Sequence, residues 1–200
     1  RVVVDAANGM AGHTVPAVLQ EAAGLDALPL EVIPLYFELD GSFPNHEANP
    51  LEPANLVDLQ RAVSEQGADI GLAFDGDADR CFVVDNLGNP VTPSAVAAMV
   101  AKREILRVRD SGEIGDITVI HNLICSKTVA EVIVENGGTP LRTQVGHSFI
   151  KDTMRDSGAV FGGEHSAHYY FRDFWGADNG MLAALHVLSE LGHSDRALSD

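Results

Sequence analysis

The chain has 200 residues, 46% of them apolar, and a formal net charge of −16 at pH 7. That apolar content excludes a disordered chain, and the length allows one large domain or two small ones. The acidic balance argues against non-specific binding to nucleic acid and against a membrane-surface role, and no apolar run is long enough to span a bilayer.

In chain order, Val2–Asp5 reads as a strand. A turn at Asn8-Gly9 and Gly12 leads to a helix over Val15–Ala23, with Pro16 in its first turn and Gly24 as its stop. Leu30–Leu35 is a second strand, and a Pro-, Asn- and Asp-rich loop covers Glu38–Pro53. Ala54–Gln66 is an amphipathic helix with Leu56, Leu59 and Val63 on one face, stopped by Gly67. Asp69–Phe74 is a third strand, Cys81–Asp85 a fourth, and Asn86–Asn89 a turn.

A second cycle follows. Pro93–Arg109 is a helix with Thr92 or Ser94 as cap, and Thr118–His121 a strand. Ser126–Asn136 is a helix closed by Gly137-Gly138, and Leu141–Thr143 a short strand. His147–Ser157 is a helix, Ala159–Gly162 and Tyr169–Arg172 are strands, and Asp178–Leu191 is a closing helix. Alternating strands and helices imply an α/β fold. The expectation is two small three-layer α/β/α domains, 1–89 and 90–200, each with a mixed sheet of roughly four strands. The opening inside a strand and the unfinished last helix suggest an excised piece of a longer protein.

The densest chemistry is Asp75-Gly76-Asp77-Ala78-Asp79-Arg80, just past the apolar strand Ile70–Phe74. Loops at strand C-termini are where α/β sheets bind ligands. At about 4 Å, two like charges repel by ~4 kcal/mol at an effective dielectric near 20, so three carboxylates call for a cation. Oxygen-only ligation suits Mg²⁺. An EF-hand would need Gly at loop position six and Glu at twelve, where this chain has Arg80 and Asn86. An aspartyl-phosphate phosphatase could use Asp75 as nucleophile, but Ala78 stands where that family has Thr or Val. A plain acidic turn is the remaining alternative.

The second dense patch is Gly162–His168. Glu164 can accept two hydrogen bonds from neighbouring sugar hydroxyls, Ser166 can donate or accept, and His168 can move a proton near neutrality. The set suits a polyol, with a polar β-turn as the simpler alternative. His165 and His168, without Cys or other nearby ligands, make a weak zinc pattern. Gly146-His147-Ser148 opens a helix whose N-terminus offers N–H groups to an anion, with Lys151 one turn further in, or else His147 or Ser148 merely caps it. Asn45-His46 could contact a ligand or neighbour, but reads first as ordinary loop chemistry. Cys81 and Cys125, far apart and in apolar context, read as core thiols in a reducing cytoplasm.

Five markers stand in one order: Ala7-Asn8-Gly9-Met10, Phe43-Pro44-Asn45-His46 with Asn49-Pro50, Asp75–Arg80, Val145–Lys151 and Gly163–His168. Together they resemble the α-D-phosphohexomutase family in its phosphomannomutase/phosphoglucomutase branch, over essentially the whole chain. The resemblance implies an intramolecular phosphotransferase with four domains around a cleft, of which this chain is similar to the second and third. Asp75, Asp77 and Asp79 would hold Mg²⁺ against a phosphoserine, and Arg80 would steady the transferring phosphoryl group. Glu164 and Ser166 would bind adjacent sugar hydroxyls. His168 would act as general acid/base or orienting group, and His147 and Lys151 would line the phosphate path.

The expected partners are a hexose phosphate, mannose or glucose, and the missing N- and C-terminal domains. With no Ser-His dipeptide to carry the phosphoryl group, the chain alone is expected to bind without turnover, as a metal- and sugar-phosphate-binding module. Ala78 replaces the family's usual Gly and is expected to be harmless if its φ is negative. His165 and Ala167 replace a frequent Met and Gly. Ser166-Ala167-His168 followed by Tyr169–Asp173 looks most like the phosphomannomutase branch, with glucose phosphates the close competitor.

Overall fold

In the computed structural model, which describes residues 1–200, β1 (Val2–Asp5) is the middle strand of three parallel ones and is buried on both faces. A Val-Val-Val run has no polar side to give to water, so helices must cover both. β1 pairs in parallel with β2 (Val32–Leu35) and β3 (Ile70–Phe74). Such pairing needs crossovers, which α1 (Ala11–Leu19) and α2 (Val57–Gln66) supply. β3 then doubles back into antiparallel β4 (Cys81–Asp85), which pairs with the two-residue β5 (Pro90–Val91). The sheet order is β2-β1-β3-β4-β5.

Two expectations shift here. The first helix starts four residues early, because Gly9 N–H closes a turn on Ala6 C=O at 2.7 Å and the chain coils at once. Pro16 therefore sits inside α1 rather than in its first turn, and the helix ends at Leu19, with Gly24 in a later turn at φ 72°. The second helix opens with a 3₁₀ turn, Pro53–Leu56, and closes on left-handed Gly67 as expected.

The second sheet repeats the plan. α3 (Pro93–Asp110) is capped by Thr92, and Ser126 caps α4 (Lys127–Glu135). β6 (Thr118–Asn122) pairs in parallel with β7 (Thr139–Thr143) and β8 (Phe161–Gly163). β8 doubles back into antiparallel β9 (Tyr169–Phe171), which pairs with β10 (Ala177–Asp178). α5 (His147–Ser157) joins β7 to β8, and α6 (Gly180–His193) closes the fold. Gly162 faces Ile150 of α5, while Gly163 faces Ala97 of α3. Successive strand residues point to opposite faces, so these helices sandwich the sheet.

Each sheet has five strands rather than about four. The extra ones, β5 and β10, are two residues long and offer no alternation to read. By their contacts the residues divide into two compact units, Arg1–Val91 with Leu188–Asp200, and Thr92–Val187. No helix is long and apolar enough to cross a membrane.

Two histidines of the second unit titrate below the ordinary imidazole range. Burial disfavours charge on His121 at the end of β6 and on His186, whose ring stacks on Phe171 at 5.5 Å. For His186 this outweighs the attraction of buried Glu104, 3.4 Å away. A lowered folded pKa means that stability holds above the ordinary value of 6.5 and is lost as pH falls through the folded value. Each histidine contributes a slope of at most about 1.4 kcal/mol per pH unit. The midpoint of urea unfolding should therefore fall on acidification below about pH 6.5, and fall less in His186→Gln. Equal slopes in the two proteins would show that Glu104 keeps His186 charged in the fold.

Candidate functional site

Both dense motifs are hairpin loops. The β3–β4 hairpin closes on the pair Phe74–Cys81 and leaves Asp75–Arg80 as its loop. The β8–β9 hairpin closes on Gly163–Tyr169 and leaves Glu164–His168. In each loop the fourth residue's N–H donates to the first residue's C=O at 3.2 Å, Ala78 to Asp75 and Ala167 to Glu164. In each, that fourth residue is an alanine in the left-handed region, at φ 64° and 67°. In each, the first residue is a buried acid. Positions one, three and five are thus Asp75, Asp77 and Asp79 in one unit, and Glu164, Ser166 and His168 in the other.

The positive φ of Ala78 corrects the expectation that this alanine is harmless. A left-handed L-residue costs roughly 1–2 kcal/mol, and glycine escapes that cost while gaining entropy when unfolded. Ala78→Gly should raise stability by about 1 kcal/mol in urea unfolding. A loss instead would mean that the alanine methyl supports the loop.

Asp75, Asp77 and Asp79 each offer an oxygen within 4.8 Å of the others. Asp75 is buried, Asp79 half-buried and Asp77 exposed. Asp75 accepts from the Arg80 backbone N–H at 3.1 Å and from Arg80 Nε at 2.7 Å. Arg80 Nη1 and Nη2 make no hydrogen bond within the chain. The Arg80 guanidinium reaches two of these carboxylates, Asp75 and, at 4.0 Å, Asp79, and an all-oxygen donor set suits a hard divalent cation. Behind the loop, Met10 N–H donates to Gly76 C=O at 2.9 Å. A Cβ on Gly9 would stand 2.7 Å from that oxygen, so only glycine allows the approach. Burial and the Asp75 charge push the Cys81 thiol up, which leaves it inert.

Glu164 is gripped from several sides. Its Oε1 accepts from Asn122 Nδ2 at 3.0 Å and from Gly146 N–H at 3.3 Å. Its Oε2 accepts from the Tyr170 hydroxyl at 2.8 Å and lies 3.6 Å from His168 Nδ1. Ser166 Oγ meets that same nitrogen at 2.9 Å. Lys151 pairs with Asp178 at 2.8 Å and stands 5.9 Å over the Tyr170 ring.

Neither His147 nor Ser148 caps α5. Its cap is Gly146 at φ 127°, and that N–H is already spent on Glu164. His147 is exposed and takes no part in this network. The network therefore joins Glu164, Ser166, His168 and Lys151, and adds Asn122 and Tyr170, which the sequence reading missed. Asn122 carried one signal, a polar residue ending an apolar strand. Tyr170 was hidden in an aromatic run. His165, weighed in the sequence only as half of a weak zinc pattern, is tied by Nδ1 to buried Ser94 at 3.0 Å.

Residues 1–88 match the family model described as phosphoglucomutase/phosphomannomutase, alpha/beta/alpha domain II, and residues 92–200 match domain III of the same family. The chain belongs to the phosphoglucomutase/phosphomannomutase family. It is 39% identical over 191 residues to a phosphomannomutase of Vibrio cholerae serotype O1, covering 96% of this chain and 40% of that protein. It is 40% identical over 201 residues to a phosphomannomutase/phosphoglucomutase of Pseudomonas syringae pv. tomato, covering all of this chain and 41% of that one. Among solved structures, a phosphoglucomutase/phosphomannomutase family protein from Burkholderia thailandensis superposes with a TM-score of 0.83 at 34% identity. That match covers 97% of this chain and 40% of the other. The chain thus spans about two fifths of the length of the phosphomannomutase relatives it matches.

Proposed function

We propose that this chain forms the metal-binding and sugar-binding units of a Mg²⁺-dependent mutase. The mutase interconverts hexose 6-phosphate and hexose 1-phosphate through a phosphoserine and a 1,6-bisphosphate. The observation that carries this reading is the convergence of the Asp75, Asp77 and Asp79 carboxylates beside Arg80. Those carboxylates would hold the magnesium, which when bound supplies positive charge against the phosphoryl oxygens. Arg80 anchors its Nε on Asp75 and keeps both Nη groups for the phosphoryl oxygens, a fork suited to a planar spread of charge.

Glu164 and Ser166 receive the sugar's adjacent hydroxyls. Glu164 is already committed to four neighbours, so its contact draws on a remaining lone pair or displaces His168. His168, beside both, orients the hydroxyl or moves its proton. Lys151 and exposed His147 line the phosphate path. We place the donor serine and the remaining phosphate grip in chain beyond this sequence, as the longer relatives suggest, so that this sequence alone binds without turnover. The free thiols of Cys81 and Cys125 fit a reducing cytoplasm. The phosphatase alternative is not favoured, because Asp75 is buried with both oxygens on Arg80 and offers no free nucleophile.

The test is interconversion of mannose 6-phosphate and mannose 1-phosphate by the longer parent protein, with Mg²⁺ or EDTA, alongside the glucose pair. Mg²⁺-dependent turnover is expected, and the ratio of the two rates sets the preferred sugar. A folded, serine-phosphorylated parent inactive on both sugars would overturn the reading. Phosphate-ester hydrolysis by this chain alone, lost in Asp75→Asn, would restore the phosphatase.

A further inference from the structure

We infer that His46 is a positioning residue: with Asp5 it forms a proton-holding latch that pins loop 38–53 and thereby the Asp75–Asp79 loop. The inference rests on the metal reading above only for its consequence, since the latch itself is defined by geometry within the first unit. His46 Nε2 lies 3.0 Å from Asp5 Oδ2, and His46 Nδ1 lies 2.9 Å from the Glu47 carbonyl oxygen. A carbonyl only accepts, and an ionised carboxylate only accepts, whereas a neutral imidazole has one N–H to give. Both contacts are hydrogen bonds only if the pair carries one proton more than a neutral histidine beside a carboxylate. That proton belongs to the pair, whichever partner holds it. Burial raises the Asp5 carboxyl, which favours its retention.

The other charged or titratable groups around the pair are few. Tyr36 stands edge-on to the His46 ring, with centroids 5.4 Å apart. Its hydroxyl donates to Asp58 at 2.7 Å and is pushed up to about 12, so it stays protonated. Asp58 pairs in turn with Arg61.

The pinned loop reaches the acidic loop directly. Asn45 Nδ2 donates to Asn8 Oδ1 at 2.8 Å, and Asn8 Nδ2 donates to the Glu38 carbonyl at 2.8 Å. Phe43 and Ala48 flank Gly76, and Met10 N–H holds the Gly76 carbonyl. Ala7, Asn8, Tyr36 and Phe43 all take positive φ in this knot. Such strain persists only where the surroundings over-determine it. Losing the proton sets lone pair against lone pair at one of the two His46 contacts and loosens the support behind Gly76.

The test is amide hydrogen exchange and ring-nitrogen NMR on this chain, with wild type, His46→Gln and His46→Ala. Glutamine can donate to Asp5 but does not titrate. In wild type, protection of residues 40–50 and 76–80 should fall about tenfold between about pH 6 and about pH 9, after correction for intrinsic rates, as one charge-assisted bond is lost. In His46→Gln it should stay flat with pH, and in His46→Ala it should be low throughout. The His46 ring should carry two N–H groups, or Asp5 one proton, at the acid end. A flat wild-type profile, or the wild-type slope retained in His46→Gln, would overturn the latch and leave His46 a packing residue. Line broadening of residues 75–79 by added Mn²⁺ judges the metal reading separately, so the two fail in different measurements.

Discussion

In the longer mutase proposed above, Asp77→Ala should lower kcat for hexose phosphate interconversion by about 1000-fold or more, with little change in unfolding midpoint. The side chain is exposed and makes no hydrogen bond, so its removal takes only a carboxylate from the proposed magnesium. Charge neutralisation is most of what an enzyme contributes to phosphoryl transfer, which sets the size of the loss. Asp75→Ala should behave differently. It strips the acceptor from both the Arg80 backbone N–H and its Nε, and leaves a largely buried guanidinium with only the longer pairing to Asp79 at 4.0 Å. We expect about 3 kcal/mol of destabilisation on top of the lost activity. Activity titrated with Mg²⁺ and urea unfolding of both variants separate the two effects. Retention of a tenth of the activity in Asp77→Ala would sink the metal assignment.

The second large effect is on folding. Glu164→Ala removes the acceptor for Asn122 Nδ2, the Gly146 N–H and the Tyr170 hydroxyl at once. Orphaned buried donors cost about 1–3 kcal/mol each, and not additively, so about 3–5 kcal/mol is expected. Glu164→Gln keeps one accepting oxygen but turns an NH₂ toward a donor, and should cost less than half as much. Amide exchange at the start of α5 should accelerate in the alanine variant, because Gly146 loses its anchor. A loss below about 1 kcal/mol in the alanine variant would mean that water replaces the carboxylate, and that the network is not the loop's foundation.

The framework was legible wherever local chemistry decided it. Val2–Asp5, Cys81–Asp85 and His147–Ser157 were read with the bounds they have, from apolar runs and Gly stops. The first helix was misplaced because Pro16 suggested a first turn, while the real start is set by a turn that only the packed loops reveal. The five acceptor-rich positions Asp75, Asp77, Asp79, Glu164 and Ser166 were visible as residue types. The burial of Asp75 and Glu164 was not, nor the hydrogen bonds that Glu164 makes to Asn122, Gly146 and Tyr170. His46 passed as loop chemistry because its partner, Asp5, lies forty-one residues away. Periodicity carries no information across such a separation.

The two hairpin loops share a left-handed alanine and an inward-turned acid, although one has a sixth residue, Arg80, that the other lacks. The backbone of each is fixed by its first and fourth residues, so the third and fifth are free to differ without disturbing the turn. One unit carries Asp77 and Asp79 there, the other Ser166 and His168. A similar turn, used twice, thus presents two carboxylates in one place and a hydroxyl with an imidazole in the other.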